Sequence, residues 1–189
     1  QMCIRDRSAT WTVTGSGAFV VSDRESEVCI KGITTGRIVD YGVKDSLNMG
    51  ACMAPAAADV IYQNLQDFDI EPTYYDRIIT GDLGKVGKKI LTDLLKMNQV
   101  DISDNHMDCG IEIFDNEEQD THSGGSGCGC SATVLAGYIL KKVSSGEWKR
   151  VLFVPTGALL STVSFNEGQT IPGVAHAVVI EHHEMSKGK

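Results

Sequence analysis

The chain has 189 residues, of which 42% are hydrophobic, and a formal net charge of −8 at pH 7. This length suffices for one compact domain with its own core, and the acidic balance argues against nucleic-acid binding, which needs clustered Lys and Arg. No polybasic segment indicates a membrane anchor, and no apolar run reaches the roughly 18–20 residues that a spanning helix needs, so membrane association is expected only through a partner.

Residues 1–7 (QMCIRDR) do not fit the apolar pattern that follows them. They are interpreted either as an artefact at the edge of a truncated gene or as a frayed terminus. One domain is predicted over residues 8–184, followed by a tail at residues 185–189. The six cysteines are too scattered for a disulfide framework, so free thiols in a reducing compartment are expected.

Hydrophobic periodicity predicts alternating strands and helices. In chain order these are strands over residues 11–22 and 28–41, a helix over 55–68 with Pro55 in its first turn, a strand over 77–80, helices over 86–97 and 130–143, and strands over 151–154 and 174–180. This order predicts an α/β layered domain in which the final strand pair is antiparallel.

Asp82 lies in a short loop between the 77–80 strand and the next predicted helix. Because ligands bind at the carboxyl ends of strands in open α/β sheets, Asp82 is a candidate binding residue. Asp82 could also cap the helix by accepting a backbone N–H of its first turn. The two roles do not exclude each other.

The segment SGGSGCGCSA at residues 123–132 leads directly into the 130–143 helix. Its glycines would let the backbone approach a ligand, and the positive end of the helix dipole would favour a carboxylate or phosphate. Ser126, Gly127 and Cys128 are therefore candidate binding residues. The alternative, close packing of the helix on the sheet, also requires small residues, and the sequence does not decide between the two.

The cysteines and histidines of the chain do not form a recognisable metal motif. Cys128 and Cys130 have a C-x-C spacing that is uncommon in structural zinc sites, so neither a metal nor a cofactor is predicted. A helix N-terminus could lower the pKa of a thiol, but no histidine base can be assigned from spacing, and no catalytic residue is predicted. Thr14, in the Gly-rich opening of the first strand, completes the predicted pocket.

The loop at residues 166–173 is long enough to reach over a pocket. His176 falls within the strand predicted after this loop. A single strand histidine is usually a structural residue, but the neighbouring loop also makes His176 a candidate binding residue.

Four segments of the chain, YYDRIITGDLGKVG, HSGGSGCGCSA, VPTGALLS and EGQTIPGVAHAVVIE, resemble the stage V sporulation protein AD family. The resemblance covers roughly residues 10–181. It implies a thiolase-like α/β fold of two similar halves, of which this chain would hold the C-terminal half with the last strands of the N-terminal half. The nucleophilic cysteine of thiolase-like enzymes lies in the other half, and no cysteine here matches it.

Two loops depart from the pattern of the thiolase-like enzymes. The initiating ketoacyl synthases have a His-Gln-Ala-Asn motif after the strand that resembles residues 77–80, where this chain has Gly81-Asp82-Leu83-Gly84. Thiolases have Gly-His-Pro in their Gly-rich loop, where Ser126 replaces the histidine here. Without a general base and an oxyanion donor, acyl transfer would lose several orders of magnitude in rate.

The resemblance therefore implies a non-catalytic sporulation protein that binds dipicolinic acid, alone or with calcium, and supports its uptake into the developing spore. The implied pocket comprises Thr14, Asp82, Ser126, Gly127, Cys128 and His176. An acyltransferase or ketoacyl synthase with an altered active site is the alternative, and a purely structural member of a membrane complex is a third.

Family resemblance also implies partners and a location. The partners would be the other proteins of the stage V sporulation A operon and, for the full-length protein, a second copy. The location would be the cytoplasm or forespore, peripheral to the inner spore membrane. Half of such a fold would expose an apolar face, so the isolated chain is expected to aggregate or to need a partner.

Overall fold

A computed structural model describes residues 7–115 and 117–184, so the predicted 185–189 tail and residues 1–6 of the predicted head lie outside the described residues. The helices are α1 (Met49–Phe68), α2 (Gly84–Met97), α3 (Cys109–Glu112), α4 (Cys130–Val134), α5 (Leu140–Ser144) and α6 (Thr162–Asn166). A π-helical turn at Leu135–Ile139 joins α4 to α5, and a 3-10 turn lies at Pro72–Tyr74.

Ten strands form three sheets in the described part of the chain. They are β1 (Trp11–Thr12), β2 (Val28–Thr34), β3 (Ile38–Val39), β4 (Arg77–Thr80), β5 (His106–Asp108), β6 (Gly125–Ser126), β7 (Arg150–Val154), β8 (Thr156–Ala158), β9 (Gly173–Ala175) and β10 (Ala177–His182). The main sheet has the order β2-β10-β7-β4-β5, a second sheet has the order β3-β9-β8, and β1 pairs with β6.

The main sheet is covered by helices on both faces. Strand β4 is parallel to β5 and β7, whereas β10 is antiparallel to β7, as predicted for the final strand pair. Ile78 packs into a core with residues of α1 and α2, and Ile79 packs into a second core with residues of α4 and α5. Strands buried on both faces are typically continuous apolar runs, which explains the composition of β4 and β7.

Helix α1 begins at Met49, so the prediction that Pro55 lies in the first turn is wrong. The side chain of Asn48 accepts the backbone N–H of Ala51 and caps the helix. Pro55 removes one backbone hydrogen bond from the helix interior. The first turns include the buried residues Cys52 and Met53, and burial of this apolar surface offsets the missing bond.

Three predicted strands are shorter or divided. Of residues 11–22, only Trp11 and Thr12 form a strand. Residues 28–41 form β2 and β3, and at Gly36 between them the backbone lies so close to the carbonyl of Ala175 that a Cβ would overlap it. Residues 174–180 are divided at His176 between β9 and β10. In each case the chain leaves one sheet partway through the predicted strand. Hydrophobic periodicity alone does not show at which residue a strand ends in this way.

Among the helices in residues 7–115 and 117–184, none is both long and apolar enough to cross a membrane.

Candidate functional site

Asp108, at the end of β5, holds the loop that follows the neighbouring strand β4. Its Oδ2 atom accepts the Thr80 hydroxyl at 2.6 Å and the backbone N–H of Leu83 at 3.0 Å. Its Oδ1 atom accepts the backbone N–H groups of Gly84 at 3.0 Å and of Gly110 at 3.1 Å. Because β4 and β5 are parallel neighbours, their carboxyl ends meet at one edge, and Asp108 can bind backbone donors from both.

Burial raises the pKa of Asp108 to about 6, although hydrogen bonds from Thr80, Gly84 and Leu83 oppose this change and Asp82 adds to it. The side chain is fully buried, so water does not stabilise its charge. The four protein donors must do so instead.

His106 is part of the same buried network through Thr80. Its Nε2 atom lies 3.0 Å from the Thr80 hydroxyl oxygen, whose proton is donated to Asp108. Nε2 must therefore carry the hydrogen and donate to Thr80. Burial, helped by the charge of Lys88, lowers the pKa of His106 to about 3, so the ring is neutral at pH 7. Among the described residues, none hydrogen-bonds its Nδ1 atom.

Asp82 does not cap α2, so this alternative is wrong. Its Oδ2 atom accepts the backbone N–H of Gly127 at 3.0 Å, and its Oδ1 atom accepts the Thr156 hydroxyl at 3.0 Å. The backbone N–H of Asp82 donates back to the Thr156 hydroxyl oxygen at 3.2 Å. Burial raises the pKa of Asp82, and the hydrogen bonds from Gly127 and Thr156 oppose this. Asp82 thus joins the ends of β4 and β6 to the start of β8.

The start of α2 is capped by residues distant in sequence. Asp108 binds the N–H groups of Leu83 and Gly84. Ser123 binds the next two donors, the N–H of Lys85 with its carbonyl oxygen at 2.8 Å and that of Val86 with its hydroxyl at 3.3 Å. The N–H of Gly87 makes the first bond within the helix, to the carbonyl of Leu83. All four N–H groups that the helix start leaves without an intrahelical partner therefore have acceptors, so this terminus has no donor left for a ligand.

Most glycines of the 123–132 segment serve packing. A Cβ on Gly124 would lie 2.6 Å from the Gly110 carbonyl oxygen, one on Gly125 would lie 2.8 Å from Val13, and one on Gly129 would overlap the Gly15 carbonyl. Gly127 differs, because it is exposed and its nearest neighbour would be Thr12 at 3.5 Å. The packing alternative therefore holds for three glycines, and only Gly127 leaves room for a ligand.

This difference predicts unequal effects of two alanine substitutions. Both Gly124 (φ 124°) and Gly127 (φ 107°) have a backbone conformation that disfavours side chains, so each change should destabilise the chain by about 1–2 kcal/mol. Gly124→Ala should lose about 1–3 kcal/mol more, because its Cβ overlaps the Gly110 carbonyl. Urea unfolding of both variants measures the difference, and equal losses would contradict the packing role.

The other predicted site residues occupy different positions around this loop. Cys128 and Thr14 are exposed. The Ser126 hydroxyl lies 2.8 Å from that of Thr10, and the Ser126 carbonyl accepts the N–H of Val13, the neighbour of Thr14, at 2.8 Å. The structure thus brings Ser126, Gly127 and Asp82 together beside Cys128. Their role in ligand binding stays a prediction.

His176 lies between β9 and β10 rather than within a strand. It is exposed, and its Nδ1 atom accepts the backbone N–H of Gly36 at 3.1 Å. This hydrogen bond stabilises the place where the chain passes from β2 to β3, which is a structural role. Its assignment to the pocket stays a prediction.

The buried cysteines near Asp82 are held as neutral thiols. The Cys130 thiol donates to the Gly81 carbonyl at 3.8 Å, and burial, with the charges of Asp82 and Asp108, raises its pKa to about 12. Burial also raises the pKa of Cys109 well above its usual value. A lowered thiol pKa at this helix start is therefore wrong for Cys130. Within the described residues there is no group of three His, Cys, Asp or Glu side chains that could hold a metal ion.

Sequence reasoning missed several residues that build this site, namely Thr80, His106, Asp108, Ser123 and Thr156. Two of them end strands of the main sheet, Thr80 in β4 and Asp108 in β5. Polar residues at the ends of adjacent parallel strands were the available signal. That signal could not be used for Asp108, because β5 itself was not predicted.

Comparison with protein families shows to which family the chain belongs. Residues 2–181 match the family model described as stage V sporulation protein AD. The chain belongs to this family. It is 44% identical over 174 residues to Stage V sporulation protein AD of Bacillus subtilis (strain 168), a match that covers 92% of this chain and 51% of that protein. The chain thus spans about half the length of this curated member of the stage V sporulation protein AD family.

Similar solved structures have the predicted thiolase-like α/β fold. AbyA1, a tetronic acid condensing enzyme, aligns with a TM-score of 0.50 at 12% identity, covering 85% of this chain and 51% of that one. A second match is 3-oxoacyl-[acyl-carrier-protein] synthase III from Aquifex aeolicus VF5, with a TM-score of 0.41 at 14% identity over 85% of this chain and 55% of the enzyme. At such identities the likeness to AbyA1 concerns the fold alone.

Proposed function

We propose that this chain is part of a sporulation protein that binds dipicolinic acid at the Gly127–Cys128 loop and supports its uptake into the developing spore without converting it. The observation that carries the proposal is the start of α4. Its N-cap residue, Gly129, has no side chain that could cap the first turn, and the exposed Gly127 and Cys128 lie just before it. An uncapped helix start offers backbone donors and a positive dipole end to a carboxylate.

The state of the nearby side chains supports binding without catalysis. A cysteine nucleophile must be a thiolate, whereas the pKa values of Cys109 and Cys130 are raised. A general base must reach the reacting group, whereas His106 is buried and its Nε2 atom is engaged with Thr80. These features argue against a nucleophile at Cys109 or Cys130 and against a base at His106. The alternative, an acyltransferase with an altered active site, would need the nucleophilic cysteine that thiolase-like enzymes have in the other half.

The charge of Asp82 affects whether calcium could bind together with dipicolinic acid. An ionised Asp82 would repel a dicarboxylate, and calcium between them would reverse the effect. Calcium needs six to eight oxygen ligands. The two carboxylate oxygens of Asp108 already accept four hydrogen bonds from the protein. The described residues also contain no group of three His, Cys, Asp or Glu side chains that could hold a metal ion, so they do not fit a resident calcium ion. Calcium would have to arrive with the ligand, which would supply most of the other oxygens.

Titration calorimetry of the full-length protein with dipicolinic acid, with and without calcium, tests the proposal. Cys128→Asp should weaken binding at least about tenfold, since a negative charge would lie beside the ligand, whereas Cys128→Ser should change the affinity little. Met97→Asp is the matched control, because it adds the same charge at an exposed position at the other end of α2, about 20 Å from its start. No binding at millimolar ligand, or equal losses for both Asp variants, would refute the proposal.

The proposed partners are the other proteins of the stage V sporulation A operon and, for the full-length protein, a second copy. The proposed location is the cytoplasm or forespore, at the inner spore membrane. Exposed apolar side chains support contacts of this kind, since Val20, Val21, Val163 and Phe165 are 98%, 76%, 64% and 53% exposed. Such apolar surface is typical of a face that another protein covers.

A further inference from the structure

Two carboxylates hold the loop between β4 and α2, at residues 81–84. Asp108 accepts the backbone N–H groups of Leu83 and Gly84, while Asp82, within the loop, accepts the N–H of Gly127. Besides burial, the charge of Asp82 raises the pKa of Asp108, so the two carboxylates repel each other. Negative charge is therefore concentrated directly beside the Gly127–Cys128 loop, where the ligand is proposed to bind.

Among the described residues, no close cation balances this charge. Neither Asp82 nor Asp108 forms an ion pair there with Lys, Arg or His. Lys85 is the nearest cation along the chain, but it is exposed and lines a groove together with His122 rather than pairing with Asp82. The two carboxylates are therefore held by hydrogen bonds alone.

The remaining titratable groups around Asp82 supply no positive charge. Burial, together with the charge of Asp82, raises the pKa of Cys109 in α3 and of Cys130 in α4, so both remain neutral thiols. His106 in β5 is neutral at pH 7, because burial lowers its pKa to about 3. Cys128 is exposed to water. The counterpart of an anionic ligand at this loop must therefore come from the solvent.

An anion at the Gly127–Cys128 loop would lie next to Asp82, because Gly127 donates its N–H to the Asp82 carboxylate. Burial already raises the pKa of Asp82, against the hydrogen bonds from Gly127 and Thr156. A second negative charge nearby acts in the same direction as burial, since like charges disfavour an ionised carboxylate. Addition of one proton removes the repulsion and, unlike calcium, requires no further oxygen ligands.

The hydrogen bonds of Asp82 can accommodate this proton. The Thr156 hydroxyl donates to Oδ1 of Asp82 at 3.0 Å and accepts the backbone N–H of Asp82 at 3.2 Å. A hydroxyl oxygen can accept two hydrogen bonds, so a proton on Oδ1 can be donated to Thr156 once the Thr156 hydrogen turns away. Oδ2 continues to accept the N–H of Gly127, and the loop keeps its position.

We infer that binding of an anionic ligand at the Gly127–Cys128 loop is coupled to uptake of one proton, which moves from the solvent to Oδ1 of Asp82. The inference rests on the proposed function and adds a form of regulation to the same site. Because the complex holds one more proton than the free protein, affinity falls as pH rises, by up to about tenfold per pH unit. The fall is confined to the range between the pKa of Asp82 in the free protein and its higher pKa in the complex.

Calorimetry of the full-length protein with dipicolinic acid, in calcium-free buffers of different ionisation enthalpy, measures the proton uptake directly. The slope of the observed heat against the ionisation enthalpy of the buffer gives the number of protons taken up per ligand. The pH is kept where both carboxyl groups of the ligand are ionised. We expect uptake of up to one proton, together with the matching decrease in affinity as pH is raised.

Asp82→Asn places a neutral amide where the protonated acid would be. The amide oxygen can accept the N–H of Gly127, and the amide nitrogen can donate to Thr156. This variant should take up no proton, and at pH 8 it should bind at least about tenfold more tightly than the unsubstituted protein, which must first acquire a scarce proton. Asp93→Asn is the matched control, because it removes the same charge from an exposed ion pair with Lys89, and it should leave proton uptake unchanged.

The possible results separate this inference from the proposed function. Binding without proton uptake by the unsubstituted protein would overturn the inference and leave the proposed function intact, whether or not the variants fold. Uptake that persists in Asp82→Asn, or that is lost equally in Asp93→Asn, would show that the proton is not bound at Asp82. No binding of dipicolinic acid at all would refute the proposed function and, with it, the coupling that rests on it.

Discussion

Replacement of Asp108 by Ala should lower the free energy of unfolding by about 3–5 kcal/mol. The change leaves the Thr80 hydroxyl and the N–H groups of Leu83, Gly84 and Gly110 without their acceptor. The site is fully buried, so water replaces the carboxylate only if the structure opens. Each orphaned buried donor contributes about 1–3 kcal/mol, and local opening reduces the sum. Urea unfolding at pH 7 measures the loss.

Asp93→Ala is the control for this prediction. Asp93 forms an exposed ion pair with Lys89, so its removal should change the free energy of unfolding by about 0.5 kcal/mol or less. If Asp108→Ala prevents folding altogether, Asp108→Asn gives the same information, because its one carbonyl oxygen keeps part of the network and the loss should be smaller. A loss below about 1 kcal/mol for Asp108→Ala would show that the network does not hold the loop.

The pH dependence of stability should reveal two buried groups with opposite effects. The folded pKa of His106 is about 3, below its ordinary value, so between about pH 6.5 and 3 the unfolded chain binds a proton that the folded chain does not, and stability falls as pH falls. The folded pKa of Asp108 is about 6, above its ordinary value. Between about pH 6 and 4 the folded chain binds the extra proton, and stability rises as pH falls.

Single substitutions should separate the two effects. His106→Gln removes the loss of stability that His106 causes as pH falls, so the stability of this variant relative to the unsubstituted chain should rise as pH falls from about 6 to 4. Asp108→Asn removes the gain that Asp108 causes, so the stability of that variant relative to the unsubstituted chain should fall over the same range. Each slope approaches about 1.4 kcal/mol per pH unit. Urea unfolding at several pH values gives these differences, in which the other titrating groups cancel, and parallel profiles for the two variants would contradict the assignment.

Elements with a strong pattern of their own could be predicted from the sequence. Strand β4 has the predicted bounds, because Gly81 follows soon after its two buried isoleucines, Ile78 and Ile79. The continuous helix of α4, the π-helical turn and α5 ends one residue beyond the predicted 130–143 helix. In both cases local composition and tertiary packing favour the same structure, which is the condition for a pattern to be informative.

Elements defined by a distant partner could not be predicted. Strand β5 is only His106–Asp108, and it is a strand because it pairs with β4 rather than because of its composition. Asp108 reaches the loop after β4 only because β5 pairs with β4. The sequence therefore predicted Asp82 as a site residue but not Asp108. Helix α1 shows the same limit, because Pro55 is a usual start signal that is overruled by burial of the residues before it.

The pairing of β2 with β10 has a consequence for how the chain folds as it is synthesised. Strand β2 lies at the edge of the main sheet, and β10 is its neighbour there, although Cys29 and Glu181 in these strands are 152 residues apart. At about 5–20 residues per second, a ribosome needs about 8–30 s to make that length. During this interval β2 and its exposed Ile30 and Ile33 have no sheet partner, so nascent chains are most vulnerable to misassembly at β2, and binding of a chaperone there would reduce it.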